Sequence, residues 1–371
     1  MISDSITQRM EEATRLTRAG KLHDAMALLK GAMPETQGRQ TPKQPSWRGN
    51  TFEGTWEVVD DPAAPTLSPG NARRAHTSAF TTGSFSCRAG TRDYKLFIPS
   101  GYHGQALPLV VMLHGCTQNP DDFAAGTDMN RLAEDQQFCV LYPAQPMTAN
   151  SSKCWNWFKA EDQQREGGEP AILAGMARQI IHQYGLDASR VYVAGLSAGA
   201  AMATTLAMTY PDLFAAVGVH SGLPHGVAKS LPDALGAMQG GTGPLSSAAQ
   251  SAKWASQVPA IIFHGDRDTT VHPSNADRVA AQYASHPAGE KGRPREVGGQ
   301  PTVEQGRVAN GHAYTRTVHL DASGKPSMEQ WQVHGAGHAW SGGSAKGSYT
   351  DPKGPDATGE MLRFFFQHQL A

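Results

Sequence analysis

Short runs of β-branched and apolar residues recur along the chain at 94–98, 109–113, 138–142, 191–194, 216–219 and 261–263. Each is too short for a buried helix and reads as a strand filled on both faces. Between and after them lie segments with apolar positions at helical spacing: 171–181, 198–208, 276–283 and 361–367. Strand and helix in alternation predict an α/β fold, with a largely parallel sheet covered by helices on both faces. Residues 314–320 and 328–333 flank the turn 321–326 and read as a hairpin. The segment 285–311, rich in Gly, Pro and charge, reads as a mobile surface insertion.

The N-terminal part has a different pattern. Ile6, Met10 and Ala13, then Leu22, Ala25, Met26 and Leu29, fall at helical spacing on either side of Gly20, which predicts a helical hairpin over residues 1–33. From 34 to 75 the composition shifts to Pro, Gly, Ser, Thr and Gln, as expected of a linker or strap. The main domain is therefore expected over 76–371.

Composition narrows the function classes. Of 371 residues, 39% are hydrophobic and 18% charged, with 40 Gly, an ordinary globular balance. Lys+Arg 32 against Asp+Glu 33 leaves a net charge of -1. With no block of like charges, nothing points to nucleic acid or an anionic membrane surface, and a neutral substrate is expected. The uncharged run 191–211 has the length of a membrane span but is mostly Gly, Ala, Ser and Thr, so no span is expected. Asp4, Arg9, Glu11 and Glu12 interrupt any signal-like apolar stretch, so a cytoplasmic location is expected. The 4 Cys match no zinc spacing and are too few for a disulfide scaffold.

The strongest chemical signal is Gly195-Leu196-Ser197-Ala198-Gly199, directly after one expected strand and directly before an Ala-rich helix. A turn this sharp from strand to helix leaves no room for Cβ atoms at its flanks, and it lifts the serine above the sheet. A serine hydroxyl needs a base, and the base needs a carboxylate to fix its tautomer. On α/β-hydrolase sheets the chain order is Ser, acid, His. After the strand at 261–263 comes His264-Gly265-Asp266-Arg267-Asp268, where Asp268 is preferred as the acid and Asp266 is left to cap the turn or pair with Arg267. Among 15 His, position selects His338, in a Gly-rich loop beyond the acid. A two-histidine metal site with His334 is disfavoured by the intervening glycines and the lack of a third ligand, so no metal is expected. His264, His272 and His319 read as structural. Two backbone donors for an oxyanion are expected from Ala198 and from Cys116, in the loop after the strand at 109–113, where Gly115 permits close approach. Trp155, Trp157 and Trp340 suit either an apolar cleft or the core. Whether Cys116 and Cys154 form a disulfide stays open.

Taken together, His114-Gly115-Cys116-Thr117-Gln118, Cys154-Trp155-Asn156-Trp157-Phe158, Gly195 to Gly199, His220-Ser221-Gly222-Leu223, His264 to Asp268 and Gly337-His338-Ala339-Trp340 resemble the polyhydroxybutyrate depolymerase family of esterases. The resemblance spans about residues 80–371. It implies an α/β-hydrolase fold, carboxylic ester hydrolysis without a cofactor, a triad of Ser197, Asp268 and His338, and an oxyanion hole of Cys116 and Ala198. The family also includes acetylxylan and feruloyl esterase-like members. Tannase-type feruloyl esterases carry Cys beside both Ser and His of the triad, whereas this chain has Leu196, Ala198, Gly337 and Ala339 there.

The expected protein is a serine esterase for short-chain hydroxyalkanoate esters or polymer, with a carbohydrate esterase as the alternative. A different class of reading has residues 1–33 docking a partner or polymer granule while the hydrolase domain serves as scaffold.

Overall fold

The computed structural model describes residues 77–240, 258–284 and 298–371. The expected hairpin at 1–33, the linker at 34–75 and their boundary lie outside the described residues.

A hairpin of β1 (Ala79–Cys87) and β2 (Gly90–Ile98) opens the fold. It leads into β3 (Leu109–Leu113), two short helices α1 (Pro120–Thr127) and α2 (Met129–Gln136), and β4 (Cys139–Pro143). Pro120 opens α1 and the Asn119 side chain accepts the Asp122 N–H, so this helix start is written in the sequence. Helix α3 (Gly168–Tyr184) closes on Gly185, whose φ of 58° suits a left-handed cap. Then follow β5 (Val191–Leu196), α4 (Ala198–Thr209), β6 (Ala216–His220), α5 (Leu231–Met238), β7 (Ala260–Gly265) and α6 (Ser274–Ala284). The last part holds β8 (Gly298–Arg307), β9 (Ala313–Leu320), β10 (Pro326–Val333), the small pair β11 (Trp340–Ser341) and β12 (Thr350–Asp351), and α7 (Ala357–Phe365).

Among the described residues, ten strands form one sheet in the order β1-β2-β4-β3-β5-β6-β7-β10-β9-β8. The six from β4 to β10 run parallel, and antiparallel hairpins extend both edges. Side chains alternate across it. Leu109, Val111 and Leu113 join one core with α3, α4 and α6, while Val110 and Met112 join another with α1, α2 and α7. The uncharged run 191–211 is divided between β5 and α4, and among the described residues no helix is long and apolar enough to cross a membrane.

One expectation needs correction. Within the segment read as a mobile insertion, residues 298–307 form β8, paired antiparallel to β9 from Arg307↔Ala313 to Gly298↔Leu320. A Gly- and Pro-containing strand is tolerated at a sheet edge, where one row of backbone groups needs no partner.

Candidate active site

The sheet positions the site. In a parallel sheet, loops at the strands' C-terminal ends gather side chains from neighbouring strands. Strands β5, β6, β7 and β10 are consecutive neighbours; His220 is the last residue of β6, and Ser197, Asp268 and His338 stand beyond the ends of the other three.

Ser197 sits between β5 and α4 at φ 58° and ψ -119°, a conformation that L side chains rarely adopt. Its surroundings impose it. A Cβ on Gly195 would run into the Gly199 carbonyl and the Ala200 amide, and one on Gly199 would run into the carbonyls of Leu113 and His114. Both glycines of the motif are thus required, and the second lets α4 start against the end of β3. The Ser197 N–H donates to the His220 carbonyl at 2.9 Å, which fixes the turn to β6.

Asp268 is buried beyond β7. One carboxylate oxygen accepts the N–H groups of Thr270 and Val271, both at 2.8 Å. The other accepts from His338 Nδ1 at 2.6 Å, with His264 Nε2 at 3.4 Å. Burial alone would raise the pKa of this carboxyl, but the hydrogen bonds and charge of the two imidazoles outweigh it and hold it well below the usual carboxylate range. An ionised acid on Nδ1 leaves Nε2 of His338 free to accept a proton. Among the described residues no hydrogen bond joins the Ser197 hydroxyl to His338. Asp268 and His338 are thus bonded, while the strands carry Ser197 to the same edge of the sheet.

Asp266 does something other than expected. Its carboxylate accepts from His334 Nδ1 at 3.0 Å and from the Gly335 N–H at 2.7 Å, so its partners come from the loop that carries His338. The Asp266 and Arg267 N–H groups donate to the carbonyls of Val333 and Ala336. Together with the His338 to Asp268 bond, five hydrogen bonds therefore join the loop after β7 to the end of β10 and the segment after it. His334, bound also to Thr315 at 2.9 Å, is a brace. Among the described residues no cluster of side chains could hold a metal ion.

The loop after β3 is braced from several sides. Cys116 is disulfide-bonded to Cys154, which settles the question left open by the sequence. The Gly115 N–H donates to Gln118 Oε1 at 2.9 Å. His114 donates from Nδ1 to the Gly115 carbonyl and accepts the Gln145 N–H at Nε2, so its ring is neutral; burial lowers its pKa to about 4. Ala198 heads α4, and its N–H is one of those a helix leaves unsatisfied.

The tryptophans are core rather than cleft. Trp155 and Trp340 are 0% and 1% exposed, and their indole N–H groups are taken by the His114 carbonyl and Thr358 Oγ1. Trp157 is also buried, edge-on to Phe158. These indoles set the loops without offering a face to a ligand. Glu169 holds the loop at 154–157, accepting from the Asn156 backbone and side chain, Gln145 and Arg92. Burial and the nearby Glu169 raise Asp162 to about 7.

Sequence reasoning gave His220 no role. Its ring stacks on Trp340 with centroids 5.0 Å apart and lies parallel to Phe263, and its Nε2 accepts the Ser341 N–H at 2.9 Å. Burial lowers its pKa to about 3, so it stays neutral. Its carbonyl holds the Ser197 turn while its ring holds the strand that follows His338. The sequence had marked it only as part of the motif His220-Ser221-Gly222-Leu223 at the end of a strand, with no role attached.

A parallel sheet in this order, with a serine on a strand-to-helix turn at a central strand, defines an α/β-hydrolase. Residues 92–288 match the esterase PHB depolymerase family, and the chain belongs to it. Poly(3-hydroxyalkanoate) depolymerase C of Paucimonas lemoignei is 33% identical over 262 residues, covering 69% of this chain and 60% of that protein. Acetylxylan esterase A of Aspergillus oryzae is 32% identical over 189 residues, covering 47% and 61%. The matches thus span about three-fifths of these relatives. Among solved structures, the acetyl xylan esterase of Aspergillus awamori superposes with a TM-score of 0.57 at 23% identity, over 74% of this chain and 94% of that one. That likeness concerns the fold.

Proposed function

We propose that the chain is a serine carboxylic-ester hydrolase acting on short-chain hydroxyalkanoate esters or oligomers. The observation that carries the reading is the bonded Asp268–His338 pair at the same edge of the sheet as the forced Ser197 turn. Ser197 attacks the ester carbonyl and His338 takes its proton at Nε2, while Asp268 holds the imidazolium that forms. The N–H groups of Cys116 and Ala198 meet the oxyanion of the tetrahedral intermediate; each such donor lowers a barrier of this type by roughly 3–4 kcal/mol. His338 returns the proton to the leaving alcohol, and a water it activates then frees the acid from Ser197.

The hydroxyalkanoate reading is supported by the family and by the depolymerase relative. A second reading, removal of acetyl groups from a carbohydrate, is favoured by the acetylxylan esterase relative. Comparing kcat/KM on a 3-hydroxybutyrate trimer and on an acetylated xylo-oligosaccharide separates them. The first reading expects the trimer to be preferred by about tenfold or more, and the reverse preference would overturn it.

A further inference from the structure

Four large apolar side chains are exposed among the described residues: Met147, Val303, Tyr349 and Phe366. Val303 lies on the edge strand β8, and Phe366 packs on Phe138 and Tyr192, at the N-terminal ends of β4 and β5, the sheet edge opposite the site. Tyr349 is different: it is 43% exposed and tied both to the chain that follows His338 and to the loop that carries Cys116.

On one side it adjoins the base. Strand β12 pairs with β11 through Trp340↔Thr350, and the Trp340 N–H donates to the Tyr349 carbonyl at 2.7 Å. This places Tyr349 alongside the chain two residues past His338. On the other side its hydroxyl lies 3.3 Å from Thr117 Oγ1, on the residue that follows the oxyanion donor Cys116. The preceding residue is latched down: the Ser348 N–H donates to Asp122 Oδ1, and Gln118 Nε2 donates to the Ser348 carbonyl. Gln118 is the same side chain that accepts the Gly115 N–H.

The backbone carries a second sign. Of the nine non-glycine residues with positive φ among the described residues, four are Thr117, Ser197, Ser221 and Tyr349, at 68°, 58°, 50° and 52°, while Asp128, Gln137, Lys153, Glu166 and Asn310 make up the rest. Such residues persist where the surroundings over-determine them, and they gather at ligand sites. A tyrosine held this way, 43% exposed while Trp155, Trp157 and Trp340 are buried, is built to present an aromatic face.

We infer that Tyr349 is a specificity-determining residue whose ring packs against the hydroxyalkanoate unit adjoining the scissile ester. The inference rests on the esterase reading above. A ring face suits the methyl-bearing chain of such a unit, and contact with a unit beyond the reacting ester contributes to binding more than to the chemical step.

The test compares wild type, Tyr349→Phe and Tyr349→Ala on p-nitrophenyl acetate, which has no adjoining unit, and on a 3-hydroxybutyrate trimer. Tyr349→Ala is expected to raise KM for the trimer by about tenfold, with kcat for the trimer and kcat/KM for the acetate within about threefold of wild type. Tyr349→Phe, which keeps the ring and loses only the contact with Thr117, is expected to restore the trimer KM. Equal losses on both substrates, or an unchanged trimer KM, would overturn the inference while leaving the esterase reading in place. A wild-type protein inactive on the trimer would overturn the hydroxyalkanoate reading and the inference with it.

Discussion

Replacing Asp268 by Asn tests which of two neighbouring carboxylates serves the base. Asp268 accepts two backbone N–H groups on one oxygen and His338 Nδ1 on the other, in a fully buried position. In Asp268→Asn the carboxamide oxygen keeps the two backbone donors, so its NH2 faces His338. A donor there demands an unprotonated Nδ1, which puts the imidazole proton on Nε2, where it cannot take one from Ser197. In a triad this tautomer error costs about 10,000-fold in kcat, or about 5.4 kcal/mol of barrier. Asp266→Asn is the control. Its oxygen can still accept the Gly335 N–H, and His334 can exchange tautomers because its other nitrogen faces the Thr315 hydroxyl, which donates or accepts equally well. That variant is expected to keep kcat within about threefold. The assay is steady-state hydrolysis of p-nitrophenyl acetate with circular dichroism melts on both variants. A folded Asp268→Asn with a tenth or more of wild-type activity, or an Asp266→Asn as impaired as its neighbour, would refute the assignment.

Two further outcomes follow from the buried groups. The Cys116–Cys154 bond spans a sequence separation of 38, for which chain entropy gives about 4 kcal/mol. Cys154→Ser is therefore expected to lower Tm by about 6 °C in a domain of about 300 residues. It should also reduce kcat at 25 °C if Cys116 is the oxyanion donor proposed above, because that donor loses its tether; equal Tm and kcat in the two proteins would show that the bond is idle. Such a bond persists in oxidising compartments rather than in a reducing cytosol, so thiol trapping of protein taken directly from cells reports its location. The other outcome concerns pH. His114, His220, His225 and His368 are buried with pKa values lowered by desolvation to about 4, 3, 4 and 4. Between about pH 6.5 and 4 the unfolded chain binds protons there that the folded chain does not, so stability rises with pH through that window and levels off above it. Each such histidine contributes up to about 1.4 kcal/mol per pH unit. A thermal scan from pH 8 to 4.5 should show a flat Tm above about pH 7 and a steepening fall below 6.5, and a Tm constant down to pH 4.5 would count against buried neutral rings.

What could be read in the sequence was what local sterics or burial on both faces dictates. The central strands announce themselves because they are apolar throughout, and the serine turn because Gly195 and Gly199 have no substitute. The edge strands were invisible. Strand β1, Ala79–Cys87, is polar and largely exposed, and β8 carries Gly and Pro; both depend on a neighbour for their shape. Tryptophan position was ambiguous for a related reason: an aromatic cluster fits a cleft or a core, and only the tertiary packing that buries Trp155 and Trp340 decides. The Cys116–Cys154 bond and the Asp266–His334 brace join segments that meet only once the strands are aligned. Tyr349 carried no signal at all, since nothing around it in sequence marks it as lying between the base and the oxyanion loop.

The central claim is that Ser197 is an activated nucleophile. The most direct measurement is to react wild type and Ser197→Ala with a fluorophosphonate probe and map the labelled peptide by mass spectrometry. Stoichiometric labelling at Ser197, absent in the variant, is the expected result. A folded wild-type protein left unlabelled, or labelled at another residue, would contradict it.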